Sequence, residues 1–166
     1  MNVLPWPRVE LTEAQKASIN RIRELKREKR AIILSHNYQR PEIYEVADFI
    51  GDSLELCRKA RDTDARMILF SGVFFMAESA AVLNPGMKVI VPTLDAGCAL
   101  SDMITPSALM RKKQEFPDAT VVCYVNSTAA VKALSDVFCT SSNAVAVIRA
   151  LPHRRVLFVP DKNLAS

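Results

Sequence analysis

The sequence predicts an α/β fold of two tandem βαβαβ units, each a parallel sheet in a three-layer α/β/α arrangement. Three observations predict it. Short apolar runs alternate with helix-like segments, the order of runs and loops repeats along the chain, and polar residues gather directly after the runs, where open parallel sheets hold their ligands.

The first element is a leading helix. Thr12 and Gln15 have capping-box spacing, and Ile19, Ile22 and Leu25 keep helical order up to a basic final turn near Lys29. Six apolar runs then read as buried strands: Ala31 to Leu34, Met67 to Phe70, Lys88 to Val91, Thr120 to Val125, Asp136 to Cys139 and Arg155 to Val159. Helix-like segments lie between them at Pro41 to Phe49, Ser53 to Arg61, Phe75 to Leu83, Thr105 to Phe116 and Asn143 to Leu151. Pro41 and Ser142 fit helix starts, while Pro85-Gly86 and Pro117-Asp118 punctuate ends.

The repeat organises these elements. AIILSHN, MILFSG and KVIVPTLD, with helices between, have counterparts in VVCYVNS, VFCTSS and VLFVPDK. This places a first unit with its leading helix over 1–98 and a second over 99–166, incomplete at its C-terminal end.

Composition narrows the class. A chain of 166 residues, 49% hydrophobic and 24% charged, can bury a core. The opening MNVLPWPRVE has no apolar stretch of the secretory kind, and the longest apolar run, Met67 to Ala77, is broken by Ser71 and Gly72. The expectation is a cytoplasmic protein off the membrane. Four unpaired-looking cysteines fit reduced thiols. The net charge of +4 favours anionic ligands; outside Arg21 to Arg30 the basic residues are dispersed, which speaks against nucleic acid.

Chemistry-bearing residues follow the runs in order. His36 can act as acid, base or donor, or can simply steady its loop; Tyr38 can offer a hydroxyl or cover an apolar edge. Gly51-Asp52-Ser53 and Thr140-Ser141-Ser142 can meet an anion with N–H groups and hydroxyls, or can be ordinary caps. Tyr124 and Asn126, two apart, share a side of an extended segment. Cys98 follows a glycine in a loop, the place for a reactive or metal-bound thiolate, with burial as the plain alternative. His153, beside Arg154 and Arg155, reads as exposed.

Taken together, SHNYQRPEI, VADFIGDSLEL, GVFFMAESAAVLNP, AGCALSDMI, YVNSTAAVKA, CTSSNAV and PDKNLA resemble the quinolinate synthases of NAD biosynthesis, from the leading helix to Ser166. The resemblance implies condensation of iminosuccinate with dihydroxyacetone phosphate to quinolinate. It implies three similar α/β domains and a 4Fe-4S cluster held by one cysteine from each, with an open iron as Lewis acid. On matching motifs, Cys98 is one cluster ligand and His36, Ser53, Tyr124, Val125, Asn126 and Ser141 are substrate contacts. Tyr38 is catalytic beside His36. L-aspartate oxidase or aspartate dehydrogenase is the expected upstream supplier.

The third domain and the other two cluster cysteines have no counterpart in these 166 residues, and Cys57, Cys123 and Cys139 fall outside the ligand positions. The 166 residues alone are therefore expected to be inactive. The competing expectation is a non-catalytic α/β binding module, or an inactive truncated remnant, that binds a small anionic metabolite.

Overall fold

Every strand pairing in the computed structural model is parallel, and helices alternate with strands throughout, as the apolar runs predict. The structure describes residues 9–152, 155–161 and 163, so His153, Arg154 and half of the PDKNLA motif, including Lys162, lie outside the described residues. The chain divides into two compact units, Met1–Ala96 and Gly97–Ser166.

The first unit begins with α1 (Glu13–Lys29). Its capping box is closed: the Gln15 N–H donates to the Thr12 hydroxyl at 3.2 Å, and the Thr12 N–H donates to Gln15 Oε1 at 2.9 Å. Arg30 ends the helix in the left-handed region at φ 49°. Then come β1 (Ala31–His36), α2 (Pro41–Tyr44), β2 (Phe49–Gly51), α3 (Ser53–Arg61), β3 (Met67–Ser71), α4 (Phe74–Leu83) and β4 (Lys88–Ile90), in sheet order β2-β1-β3-β4. Side-chain alternation divides the core between the two faces. Ile33 meets Ile19 of α1 and Val46, with Leu69 packed alongside. Leu34 and Phe70, paired across β1 and β3, point to the opposite face, where α3 and α4 pack on each other. Both are fully buried, each stabilising by roughly 1.5–3 kcal/mol relative to exposure.

The second unit has a short 3-10 turn (Ser101–Met103), then α5 (Pro106–Glu115), β5 (Thr120–Tyr124), α6 (Ala129–Ala133), β6 (Val137–Cys139), α7 (Ala144–Ala150) and β7 (Val156–Val159), in sheet order β6-β5-β7. Leu109, Val121, Cys123, Val131 and Val159 form its core on the α5 and α6 side.

Two expectations need correction. The segment Pro41 to Phe49 is not one helix: α2 stops at Tyr44, and Phe49 starts β2, whose register on β1 pairs Leu34 with Phe49 and His36 with Gly51. A three-residue strand carries no periodicity of its own, and pairing with β1 overrides the helical look of the preceding residues. The repeat pairing shifts in consequence. MILFS corresponds to VLFV and not to VFC, because β3 and β7 both flank the central strand on the side away from β2 and β6.

The corrected repeat has a constant spacing of 88 positions. Leu34 pairs with Phe49 and Phe70; 88 positions on, Val122 pairs with Val137 and Phe158. An aspartate clamp repeats with it. Asp48 accepts the Ile33 N–H on its carboxylate at 2.7 Å and donates its own N–H to the Ile33 carbonyl at 2.9 Å. Asp136 does the same to Val121, at 2.8 and 3.0 Å. Each clamp fixes where the short strand begins, and so where its following loop emerges beside the end of the central strand.

Candidate functional site

In the first unit the clamp sets β2 against β1 so that the Asn37 N–H donates to the Gly51 carbonyl at 3.2 Å, joining the two strand-end loops. His36, the last residue of β1, is 6% exposed. Its Nδ1 accepts the Tyr38 N–H at 3.3 Å, so the neutral ring carries its proton on Nε2. Burial pulls its pKa below the usual value, against a smaller opposing pull from the Asp52 carboxylate. The imidazole is thus neutral at pH 7, with one N–H to donate in a hydrogen bond.

Tyr38 is 85% exposed, yet its ring stands edge-on to the His36 ring, with centroids 4.3 Å apart. The phenol therefore does not cover an apolar edge; the His36 ring backs it and its remaining surface faces outward. Tyr44 donates its hydroxyl to the Asn37 carbonyl at 3.0 Å and so steadies the same loop. Asp52 is the N-cap of α3, accepting the N–H groups of Leu54 at 3.1 Å and Glu55 at 2.9 Å. Ser53, half-buried, is the first helical residue after it.

In the second unit the same places carry different groups. Tyr124 ends β5 where His36 ends β1, Asn126 stands at the place of Tyr38, and Ser141 at the place of Ser53, each 88 positions on. The Val125 N–H donates to the Cys139 carbonyl at 2.8 Å, repeating the bond from Asn37 to Gly51. Asn143 accepts the Thr140 N–H at 2.7 Å, and Thr140 and Ser142 share a hydroxyl bond at 2.8 Å. These bonds close the loop around an exposed Ser141.

Cys98 belongs to the second unit. It is half-buried in an irregular segment, and the Asn126 side-chain amide points an N–H at its sulfur at 3.8 Å. The other three cysteines are buried. Burial, with a smaller contribution from Cys123, pushes the Cys139 thiol above its usual value, which suits packing and not metal ligation. Among the described residues no group of three or more His, Cys, Asp or Glu side chains could hold a metal ion. One accessible thiol beside an amide donor suits a single ligand of a shared metal centre, and this donor set cannot hold such a centre by itself.

Sequence reasoning located the strand-end groups but missed the aspartate clamps and the amide bond from Asn126 to Cys98. The likeness of ADFIGDS to SDVFCTS was the available signal for the clamps.

The family model described as NadA, Quinolinate synthetase A protein, matches residues 20–166. Among curated relatives, Quinolinate synthase of Alkaliphilus metalliredigens is 55% identical over 148 residues, covering 89% of this chain and 49% of the relative. Quinolinate synthase 2 of Methanosarcina acetivorans is 55% identical over 145 residues, 87% of this chain and 47% of the relative. Quinolinate synthase of Dehalococcoides mccartyi is 55% identical over 147 residues, with shares of 89% and 49%. The chain spans about half the length of the curated relatives it matches.

Proposed function

This chain belongs to the quinolinate synthase family, and on that premise we propose that it is the segment of a quinolinate synthase that supplies proton transfer and part of the substrate binding. The reaction is condensation of iminosuccinate with dihydroxyacetone phosphate to quinolinate, in the cytoplasm, with L-aspartate oxidase or aspartate dehydrogenase supplying the imine. No helix among the described residues is long and apolar enough to cross a membrane.

The observation that carries the reading is the pair His36 and Tyr38. Forming the pyridine ring releases phosphate and water, so protons must reach departing oxygens and leave carbon or nitrogen. A neutral imidazole that donates a hydrogen bond from Nε2, beside an exposed phenol that can exchange its proton, offers a donor and an acid–base group from one loop. Ser53, Tyr124, Asn126 and Ser141 offer hydroxyl and amide groups to carboxylate and phosphate oxygens, and Val125 offers backbone. The net charge of +4 suits anionic substrates.

Cys98 is proposed as one thiolate ligand of a 4Fe-4S cluster whose remaining ligands come from outside these 166 residues. When bound, the cluster supplies a Lewis-acidic iron with an open position. Asn126 would hold the Cys98 sulfur in place by its amide N–H.

The test joins this chain to the C-terminal half of a curated relative and purifies the product without oxygen. Cys98→Ser should abolish the visible absorption of the cluster, while Cys57→Ser and Cys123→Ser keep it. Residues 1–166 alone should hold no stoichiometric iron and sulfide and make no quinolinate. A cluster that survives Cys98→Ser, or turnover by the 166 residues alone, contradicts the proposal. Affinity for small dicarboxylates with no iron uptake by the joined chain would favour a binding module instead.

A further inference from the structure

The loop after β1 is a turn held at both ends, and its middle peptide carries the bond that fixes the His36 ring. The Asn37 N–H donates to the Gly51 carbonyl at 3.2 Å, and the Gln39 N–H donates to the His36 carbonyl at 3.1 Å. Asn37 and Tyr38 are thus the two central residues of a four-residue turn. The peptide that joins them is trans, so its carbonyl and its N–H point in opposite directions. Its N–H, from Tyr38, donates to His36 Nδ1 at 3.3 Å. Its carbonyl, from Asn37, accepts the Tyr44 hydroxyl at 3.0 Å. Tyr44 is half-buried at the end of α2, the single helical turn that Pro41 begins and that brings the phenol back to the loop.

The two bonds of this peptide stand or fall together. If it turned over, the ends of the turn could stay in place, but a carbonyl oxygen would face Nδ1 where an N–H now does. The ring would then carry its proton on Nδ1 and leave Nε2 as an acceptor. A turned-over peptide also needs a positive φ at Tyr38, which Tyr38 does not have, so backbone sterics and the Tyr44 hydroxyl favour the same orientation. A bond to the carbonyl polarises the amide as well and strengthens its N–H as a donor. In the second unit the strand ends in Tyr124 instead of an imidazole, and Lys132 stands 88 positions after Tyr44. There the Val125 carbonyl, counterpart of that of Asn37, accepts the Ser127 N–H at 2.8 Å. The brace from Tyr44 thus occurs in the unit whose strand ends in a group with two tautomers.

We propose that Tyr44 is a positioning residue for His36: by holding the Asn37–Tyr38 peptide in place, its hydroxyl selects the tautomer with the proton on Nε2, whose N–H is then available to a substrate oxygen. Tyr44 acts through the backbone and needs no contact with substrate. The tautomer is a property of this chain alone; only its consequence for turnover rests on reading His36 as a substrate contact of a quinolinate synthase. One net hydrogen bond corresponds to roughly a threefold to tenfold change in the ratio of the two tautomers.

The test is Tyr44→Phe, which removes the hydroxyl and keeps the ring. Nitrogen NMR of residues 1–166 carrying isotope-labelled histidine reads the tautomer directly at about pH 8, where an ordinary histidine is neutral, with His153→Gln to assign the two signals. The unsubstituted chain should show His36 protonated at Nε2. Tyr44→Phe should raise the ratio of the Nδ1–H to the Nε2–H form roughly threefold or more, while Lys132→Ala at the counterpart position should leave it unchanged. Tyr44→Leu gives the same readout should Tyr44→Phe fail to fold. In the joined enzyme, kcat of Tyr44→Phe should fall in step with the Nε2–H share that remains, with KM little changed. An Nδ1–H ring in the unsubstituted chain, or an unchanged ratio once the hydroxyl is gone, overturns the inference. A loss of kcat without a change in the ratio marks a purely structural role and overturns it as well. If the unsubstituted joined enzyme makes no quinolinate, the enzymatic reading fails by itself, while the tautomer ratio still decides the role of Tyr44.

Discussion

The two units hold polar groups at the same three places on one scaffold and equip those places differently. The first has His36, Tyr38 and Ser53; the second has Tyr124, Asn126 and Ser141, with Cys98 beside Asn126. Only the first set includes an imidazole whose pKa is shifted by burial. The second offers neutral hydrogen-bonding groups and a thiol. The difference teaches that the scaffold fixes where a group stands, and the side chain chosen there fixes which hydrogen bonds and charge it can offer. A similar asymmetry runs through the cores, where α3 and Phe70 of β3 are buried, while α7 buries none of its residues and Phe158 of β7 is half-buried.

The largest expected effect tests that core asymmetry. Phe70→Ala empties a fully buried site and should cost about 3–5 kcal/mol in urea unfolding, whereas Phe158→Ala at the half-buried counterpart should cost no more than about half as much. Equal losses would break the comparison. The aspartate clamps come next and should be costly to remove in both units. Asp48→Ala and Asp136→Ala each strip a strand N–H of its carboxylate acceptor, at about 2–3 kcal/mol. Asp48 should be the costlier because it also accepts from Lys26 Nζ at 2.7 Å. A neutral Asp48→Asn would show that the carboxylate is not needed.

A smaller effect concerns pH. With its folded pKa below the ordinary histidine value near 6.5, His36 favours the folded state in its neutral form. The unfolded chain takes up the proton first as pH falls, so stability is full above about 6.5 and is lost below it until the folded pKa is passed. His36→Gln should flatten that part of the stability profile. Tyr124→Phe, at the counterpart position, should leave it unchanged. An unaltered acid slope in His36→Gln would place the titration elsewhere.

Much of this architecture was legible in the sequence because buried parallel strands such as AIIL and TVVCYV are continuous apolar runs bounded by polar loops. Phe49–Gly51 was not, since three residues have no period and derive their strand conformation from pairing with β1. That omission mispaired the repeat, which in turn hid the equivalence of Ser53 with Ser141. The strand-end residues were legible by type and position. The Asp48 and Asp136 clamps were not, because an aspartate before a short apolar run reads as a helix end or turn until its partner strand is known. The exposed face of α7 was equally hidden, as apolar periodicity tells which face seeks burial and not whether anything covers it.

The claim that the first unit moves protons while the second binds is tested most directly by steady-state kinetics of Tyr38→Phe and Asn126→Ala in the joined, cluster-loaded enzyme. Tyr38 is 85% exposed, so loss of its hydroxyl should spare the fold and cluster. The expected result is a roughly 100-fold or greater loss of kcat with KM little changed for Tyr38→Phe, against a rise in KM as the main effect of Asn126→Ala. Near-normal turnover by a cluster-replete Tyr38→Phe enzyme would contradict the account.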